Sequence, residues 1–174
     1  MTDFTIRQYR ELIKVLIENK YQFQPFGEFL EFPKNKSIML RHDVDARKQN
    51  SLRFAEIQHE FGIRGSYYFR VVPESYDETV IRRFAELGHE IGYNYETMDT
   101  SKGDTEAAYQ EFCTNLERFR KLAPIRTICM HGSPRSPFDN KQIWEKHSYK
   151  SLGLIGEPYY DLDFNKIAYL TDTG

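Results

Sequence analysis

Short runs of β-branched and aromatic residues alternate with helix-period patterns along the whole chain, and that alternation restricts the fold more than any other feature. The strand candidates are residues 38–41, 66–69, 90–93, 127–130, 152–155 and 168–170. Each is rich in side chains that fit a pleated surface. Helical patterns lie between them at 49–61, 77–87, 105–122 and 139–146, and an opening helix over 6–20 sets Tyr9, Leu12, Ile13, Leu16 and Ile17 on one face. Ser75 and Glu78 have capping-box spacing ahead of one helix, while Gly62 and Gly88 stand where a left-handed residue ends another. Strand–helix–strand units of this kind build a parallel sheet. A doubly wound sheet and part of a (β/α) barrel both satisfy the pattern, and both place functional groups at the C-terminal ends of strands.

With 174 residues, 40% of them hydrophobic, the chain fits a single domain with one core, preceded by a helical extension over 1–31. The formal charge of −2 comes from 24 basic and 26 acidic residues, scattered without a basic stripe, so nucleic acid is not an expected partner. No apolar run approaches the ~20 residues of a membrane span, and the N-terminus lacks the pattern of a secretory signal. A cytoplasmic protein without membrane contact is the expectation. Cys113 and Cys129 fall in helical and strand-like patterns and read as structural thiols.

Just past the strands come His42-Asp43-Val44-Asp45, Asn94-Tyr95-Glu96, His131-Gly132-Ser133-Pro134, Glu157-Pro158-Tyr159-Tyr160 and Thr171-Asp172-Thr173-Gly174. Nearly every distinctive polar group therefore collects on one rim. Strand alternation points Asp43 and Asp45 to the same side, so that one can bind a cation while the other handles a proton. Read as structure alone, the same residues are a solvated turn ahead of a helix. His131 leaves its strand by a tight turn that presents the imidazole at the rim, although a lone histidine also serves as a hydrogen-bonded structural residue. Carboxylate and neutral imidazole suit Zn²⁺, Mn²⁺, Co²⁺ or Ni²⁺, and spacing does not choose among them. Tyr95, Glu96, Tyr159 and Asp172 are the candidates for contacting substrate. His89 and Glu90 open a strand at its N-terminal end, where structural hydrogen bonding is the expected role.

The segments Leu40-Arg41-His42-Asp43-Val44-Asp45, Gly88-His89-Glu90-Ile91-Gly92-Tyr93-Asn94 and Met130-His131-Gly132-Ser133-Pro134 together resemble the polysaccharide deacetylase (NodB-like, carbohydrate esterase family 4) group, over roughly residues 38–174. The resemblance implies a parallel (β/α) barrel-like domain, incomplete at its C-terminal side, with Asp43 as general base and Asp45 as metal ligand. The family's second motif carries two histidine ligands spaced H-x-x-x-H, and those positions are Asn94 and Met98 here. On this reading Asp45, His131 and Asn94 hold a weakly bound divalent transition metal, zinc first, and His131 doubles as a candidate acid. The implied activity is metal-dependent hydrolysis of an N-acetyl group on an amino sugar or related small molecule. The alternative is a non-catalytic carbohydrate-binding or scaffold remnant of the same fold. Missing closing strands would leave an exposed edge near Leu170, from which a homodimer or a covering role for residues 1–31 is expected.

Overall fold

In the computed structural model, which describes residues 5–132 and 136–171, Thr5 caps α1 (Ile6–Glu18). Its hydroxyl accepts from the Gln8 amide while the Gln8 side chain reaches back to the Thr5 backbone, a complete capping box. Ile13 is the residue this helix buries, against Ile57 and Ile63. The chain then forms β1 (Gln22–Phe23), α2 (Phe26–Glu31) and β2 (Ser37–Ile38), with the two short strands paired in parallel.

The main sheet has four strands, β3 (Arg41–Val44), β4 (Ser66–Phe69), β5 (Glu90–Tyr95) and β6 (Ile125–Met130), all parallel and side by side in chain order. The crossovers are α3 (Lys48–Glu60), α4 (Glu78–Glu86), and the pair α5 (Thr97–Thr100) and α6 (Thr105–Arg120). The chain is thus an α/β fold built on parallel strands.

Alternation along the strands separates two faces. Val44, Tyr67, Phe69, Ile91, Tyr93, Tyr95 and Ile128 form one, and it packs against Ala55 of α3, Phe84 of α4 and Phe112, Leu116 and Phe119 of α6 in the main core. All the crossover helices therefore cover the same face. The opposite face carries Tyr68 and Cys129, which meet Phe26 and Leu30 of α2 and Leu162 in a smaller apolar cluster. Residues 1–31 were expected to cover the region near Leu170; α2 lies instead over Tyr68 and Cys129, and Leu170 is 92% exposed. The α2 amides are also tied down, because Phe26 N donates to Ser66 Oγ (2.8 Å) and Gly27 N to the Glu90 carboxylate (3.1 and 3.2 Å).

Several elements differ from the sequence expectation. The 38–41 run splits between β2 and β3, so His42 and Asp43 lie within a strand and not after it. The 152–155 run is no strand: a 3-10 helix occupies Tyr149–Leu152, and only a bridge between Thr127 and Gly156 extends the sheet. The 3-10 helix ends at Gly153 with positive φ (75°), so only Ile155 N to Arg126 O (2.8 Å) and Ile128 N to Gly156 O (3.0 Å) form as ladder bonds. Beyond them Glu157 Oε1 accepts from Met130 N (3.0 Å), taking the amide that continuation would need. Residues 168–170 also form no strand. Tyr169 and Leu170 are exposed, so the run buries too little to be held in a ladder, and the exposed strand edge expected there does not arise. The α4 cap is Asp77, whose carboxylate accepts from Val80 N (3.1 Å); Ser75 is buried and accepts from Arg70 N (2.9 Å) instead. Gly62 and Gly88 do adopt positive φ, at 66° and 87°. Among the described residues no helix is long and apolar enough to cross a membrane.

Candidate functional site

The face that the crossover helices leave uncovered carries polar groups at both ends of the apolar patch formed by Tyr68 and Cys129. At its N-terminal end Glu90 accepts from Ser66 Oγ and from Thr127 Oγ1 (2.9 Å). Above them the Tyr68 ring crosses Gly92, with its hydroxyl 3.0 Å from Thr127 Oγ1. An added Cβ on Gly92 would stand 2.3 Å from two Tyr68 ring carbons, so only glycine admits this ring. That is the steric content of the Gly-His-Glu-Ile-Gly segment. Its histidine is equally structural, since His89 Nδ1 accepts from Gly65 N (3.1 Å) and Nε2 lies 2.9 Å from Ala55 O.

At the C-terminal edge three sequence-predicted residues meet. His131 Nδ1 lies 3.2 Å from Asp45 Oδ1, and Asn94 Nδ2 donates weakly to the same oxygen at 3.4 Å. Strand parity brings them together, since Asn94 is on the uncovered face of β5 and Asp45 and His131 stand just past β3 and β6. Asn94 is wholly buried and its Oδ1 has no partner. Glu96 adjoins, 4.0 Å from His131 Nε2, and Arg70 grips it with two nitrogens at 3.0 and 2.7 Å. Burial pulls the Arg70 guanidinium down, but the Glu96 hydrogen bond and charge outweigh it and hold it above its ordinary value. Beside this cluster opens a cavity of about 370 Å³, lined by Arg70, Glu96, Asp99, His131, Ser136 and Phe138 among others.

The other candidates are held by other partners. Asp43 lies on the same face as Asp45 but is paired with Arg41 (3.2 Å). Arg41 also donates to the hydroxyls of Tyr159 (3.5 Å) and Tyr169 (3.2 Å), with both rings 5.5–5.7 Å from its guanidinium carbon. Tyr159 therefore covers Arg41. Tyr95 is on the helix-packed face, wholly buried, with its hydroxyl accepting from Trp144 Nε1 (2.8 Å), and it offers a substrate no surface. Met98 is buried in α5. Asp172 lies outside the described residues, as do Ser133 and Pro134.

Arg70, Asp99 and Asn140 are site residues that the sequence reading did not single out. Arg70 follows β4 directly, so inspection of the residue after every strand would have found it. Asp99 enters through the four-residue α5, too short to show a period, and Asn140 opens the helix read at 139–146, which is a 3-10 helix over Asn140–Glu145. Among the described residues no three histidine, cysteine, aspartate or glutamate side chains are grouped to hold a metal ion. The donors that do converge are one carboxylate, one imidazole and a carboxamide. Two atoms 3.2 Å apart can both lie within the ~2.0–2.2 Å bonding distance of one cation. Asn94, whose nitrogen faces Asp45 and whose oxygen has no partner, becomes a third, weaker donor on rotation of its carboxamide. The set fits a loosely held first-row divalent ion.

The chain matches no family model, and no curated protein or solved structure is similar to it.

Proposed function

We propose that this chain is a polysaccharide-deacetylase-like hydrolase whose parallel sheet is part of a (β/α) barrel-like domain, and that it cleaves an N-acetyl amide of an amino sugar or related small molecule. The observation that carries the reading is the meeting of Asp45, Asn94 and His131 at the C-terminal edge of the sheet, beside a cavity large enough for one sugar unit. Parallel α/β architectures place their chemistry at this edge.

Asp45, His131 and Asn94 would hold the metal, which when bound polarises the acyl carbonyl and acidifies water. Asp43, on the same face, is the carboxylate available to take a proton from the attacking water, and the Arg41 guanidinium keeps it oriented. Where His131 serves as the acid in place of being a ligand, its Nε2 edge adjoins Glu96, and the imidazole can carry a proton to the departing amine with Glu96 stabilising its charged form. Arg70 fixes Glu96 by two hydrogen bonds and thereby sets that wall of the cavity.

The test is titration with Co²⁺ or Zn²⁺ together with amine release from small N-acetylated sugars. Metal binding and turnover that are both lost in Asp45→Ala and His131→Ala support the hydrolase. A second reading has its own observation: Asn94 and buried Met98 stand where the family has histidines. On that reading the chain is a carbohydrate-binding remnant, and glycan binding without metal uptake or turnover under metal-replete conditions would establish it.

A further inference from the structure

Asn140 opens the 3-10 helix Asn140–Glu145 and is 2% exposed. Its carboxamide nitrogen donates to His131 O and to Asp99 Oδ2, and its oxygen accepts from Met98 N, each at 2.9 Å. One side chain thus joins the end of β6 to Met98 and Asp99, the two middle residues of α5. Asparagine is suited to this because it is short and offers two donors and an acceptor, whereas aspartate keeps the acceptor and loses both donors.

The geometry matters because His131 has already left the sheet. Its amide makes the last ladder bond, to Tyr95 O (2.8 Å), and the following described residue, Gly132, is exposed. The direction in which the imidazole leaves the backbone therefore depends on what holds the His131 carbonyl. Asp99, the other partner, lines the cavity and also accepts from Ser136 Oγ. Both His131 and Asp99 are referred to the same buried carboxamide.

We propose that Asn140 is a positioning residue: by holding the His131 carbonyl and the Asp99 carboxylate together, it sets where the His131 ring stands relative to Asp45 and fixes two walls of the cavity. The inference rests on His131 being a working group of the site, as the hydrolase reading has it. Its consequence is a defined ring tautomer. In the metal-free protein, a neutral imidazole whose Nδ1 faces a carboxylate at 3.2 Å carries its proton on Nδ1 and donates it, and a bound metal would take that proton's place.

The experiment is a long-range ¹H–¹⁵N correlation of the histidine rings at about pH 8.5, where ordinary imidazoles are neutral. In the wild type, His131 should be the Nδ1–H tautomer and the Asn140 carboxamide protons should exchange slowly with solvent. In Asn140→Asp and Asn140→Ser the His131 signal should move to a tautomer mixture, while His42 and His89, buried elsewhere, keep their shifts and report an intact fold. An unchanged His131 in either folded variant overturns the proposal. So does a freely exchanging Asn140 carboxamide in the wild type, which requires no variant to fold. Neither metal nor turnover enters the measurement, so failure of the hydrolase reading would appear separately, as absence of metal uptake and amine release.

Discussion

Asn94 and Gly92 are two residues apart on one strand and answer to different demands. Gly92 is steric: an alanine there meets the Tyr68 ring at 2.3 Å and the Thr127 carbonyl at 3.0 Å, and a backbone oxygen on a neighbouring strand does not yield as a flexible side chain would. Gly92→Ala should destabilise by about 1–3 kcal/mol or more, the scale of core overpacking, as read from urea denaturation. A change within about 0.5 kcal/mol, the range of surface substitutions, would mean that Tyr68 moves freely. Asn94 is chemical. Imidazole is a far better donor to first-row metals than a carboxamide oxygen, so Asn94→His should tighten Co²⁺ or Zn²⁺ binding by roughly tenfold or more. Unchanged affinity in a folded variant would place residue 94 outside the ligand set. At this scale the sequence was readable where a polar residue stood at or just past the end of a strand, as Asp45 and His131 do past β3 and β6 and Asn94 does on the uncovered face of β5. Tyr95 was misjudged because β5 runs to Tyr95 and not to Tyr93. Once the strand is that long, parity places Tyr95 with Tyr93 in the core.

The short elements were the least readable and are also what closes the face opposite the crossover helices. Neither β1, with two residues, nor α2, with six, is long enough to display a period. Tertiary contacts hold α2, and Glu90 is the anchor, accepting from Gly27 N as well as from Ser66 and Thr127. Glu90→Ala should cost about 1–3 kcal/mol, because it strands the buried Gly27 amide. Limited proteolysis of the variant should show earlier cleavage between α2 and β2, and an unaltered digestion pattern would show that Phe26 and Leu30 suffice. At the edge of the sheet, a run of apolar residues at 152–155 looked like a strand, but a 3-10 helix takes its first residue, and past the two ladder bonds at Ile155 and Gly156 the Glu157 side chain takes the next amide, that of Met130. A carboxylate that ends a ladder in this way leaves no periodic trace in the sequence. The three longer crossover helices and the strands they connect were legible because each spans enough residues to show its face.

For the molecule as a whole, three buried titratable groups set opposing pH trends. Desolvation lowers His42 and His89 from 6.5 to about 4, so each contributes stability that is complete above pH 6.5 and is lost as pH falls toward 4. Desolvation raises Glu157 from 4.5 to about 7, so its contribution is complete below pH 4.5 and is lost as pH rises through 7. The shifts are similar in size, and two histidines oppose one glutamate. Unfolding free energy should therefore fall by a few kcal/mol between pH 6.5 and 4, less steeply than two histidines alone would produce. Urea titrations across that range would contradict this if stability stayed level or rose on acidification. The spatial order of the strands has a consequence in time. Because β3 to β6 lie side by side in the order of synthesis, each strand meets a neighbour made shortly before it; Ser66 and Glu90, for example, are 24 residues apart. Contacts so local close quickly and can form while later parts of the chain are still inside the ribosome. The cleft cannot. Asn94 and Asp45 are 49 residues apart, Arg41 waits for Tyr169 at a separation of 128, and His131 arrives only after β6. A nascent chain should thus acquire its sheet first and its chemistry last.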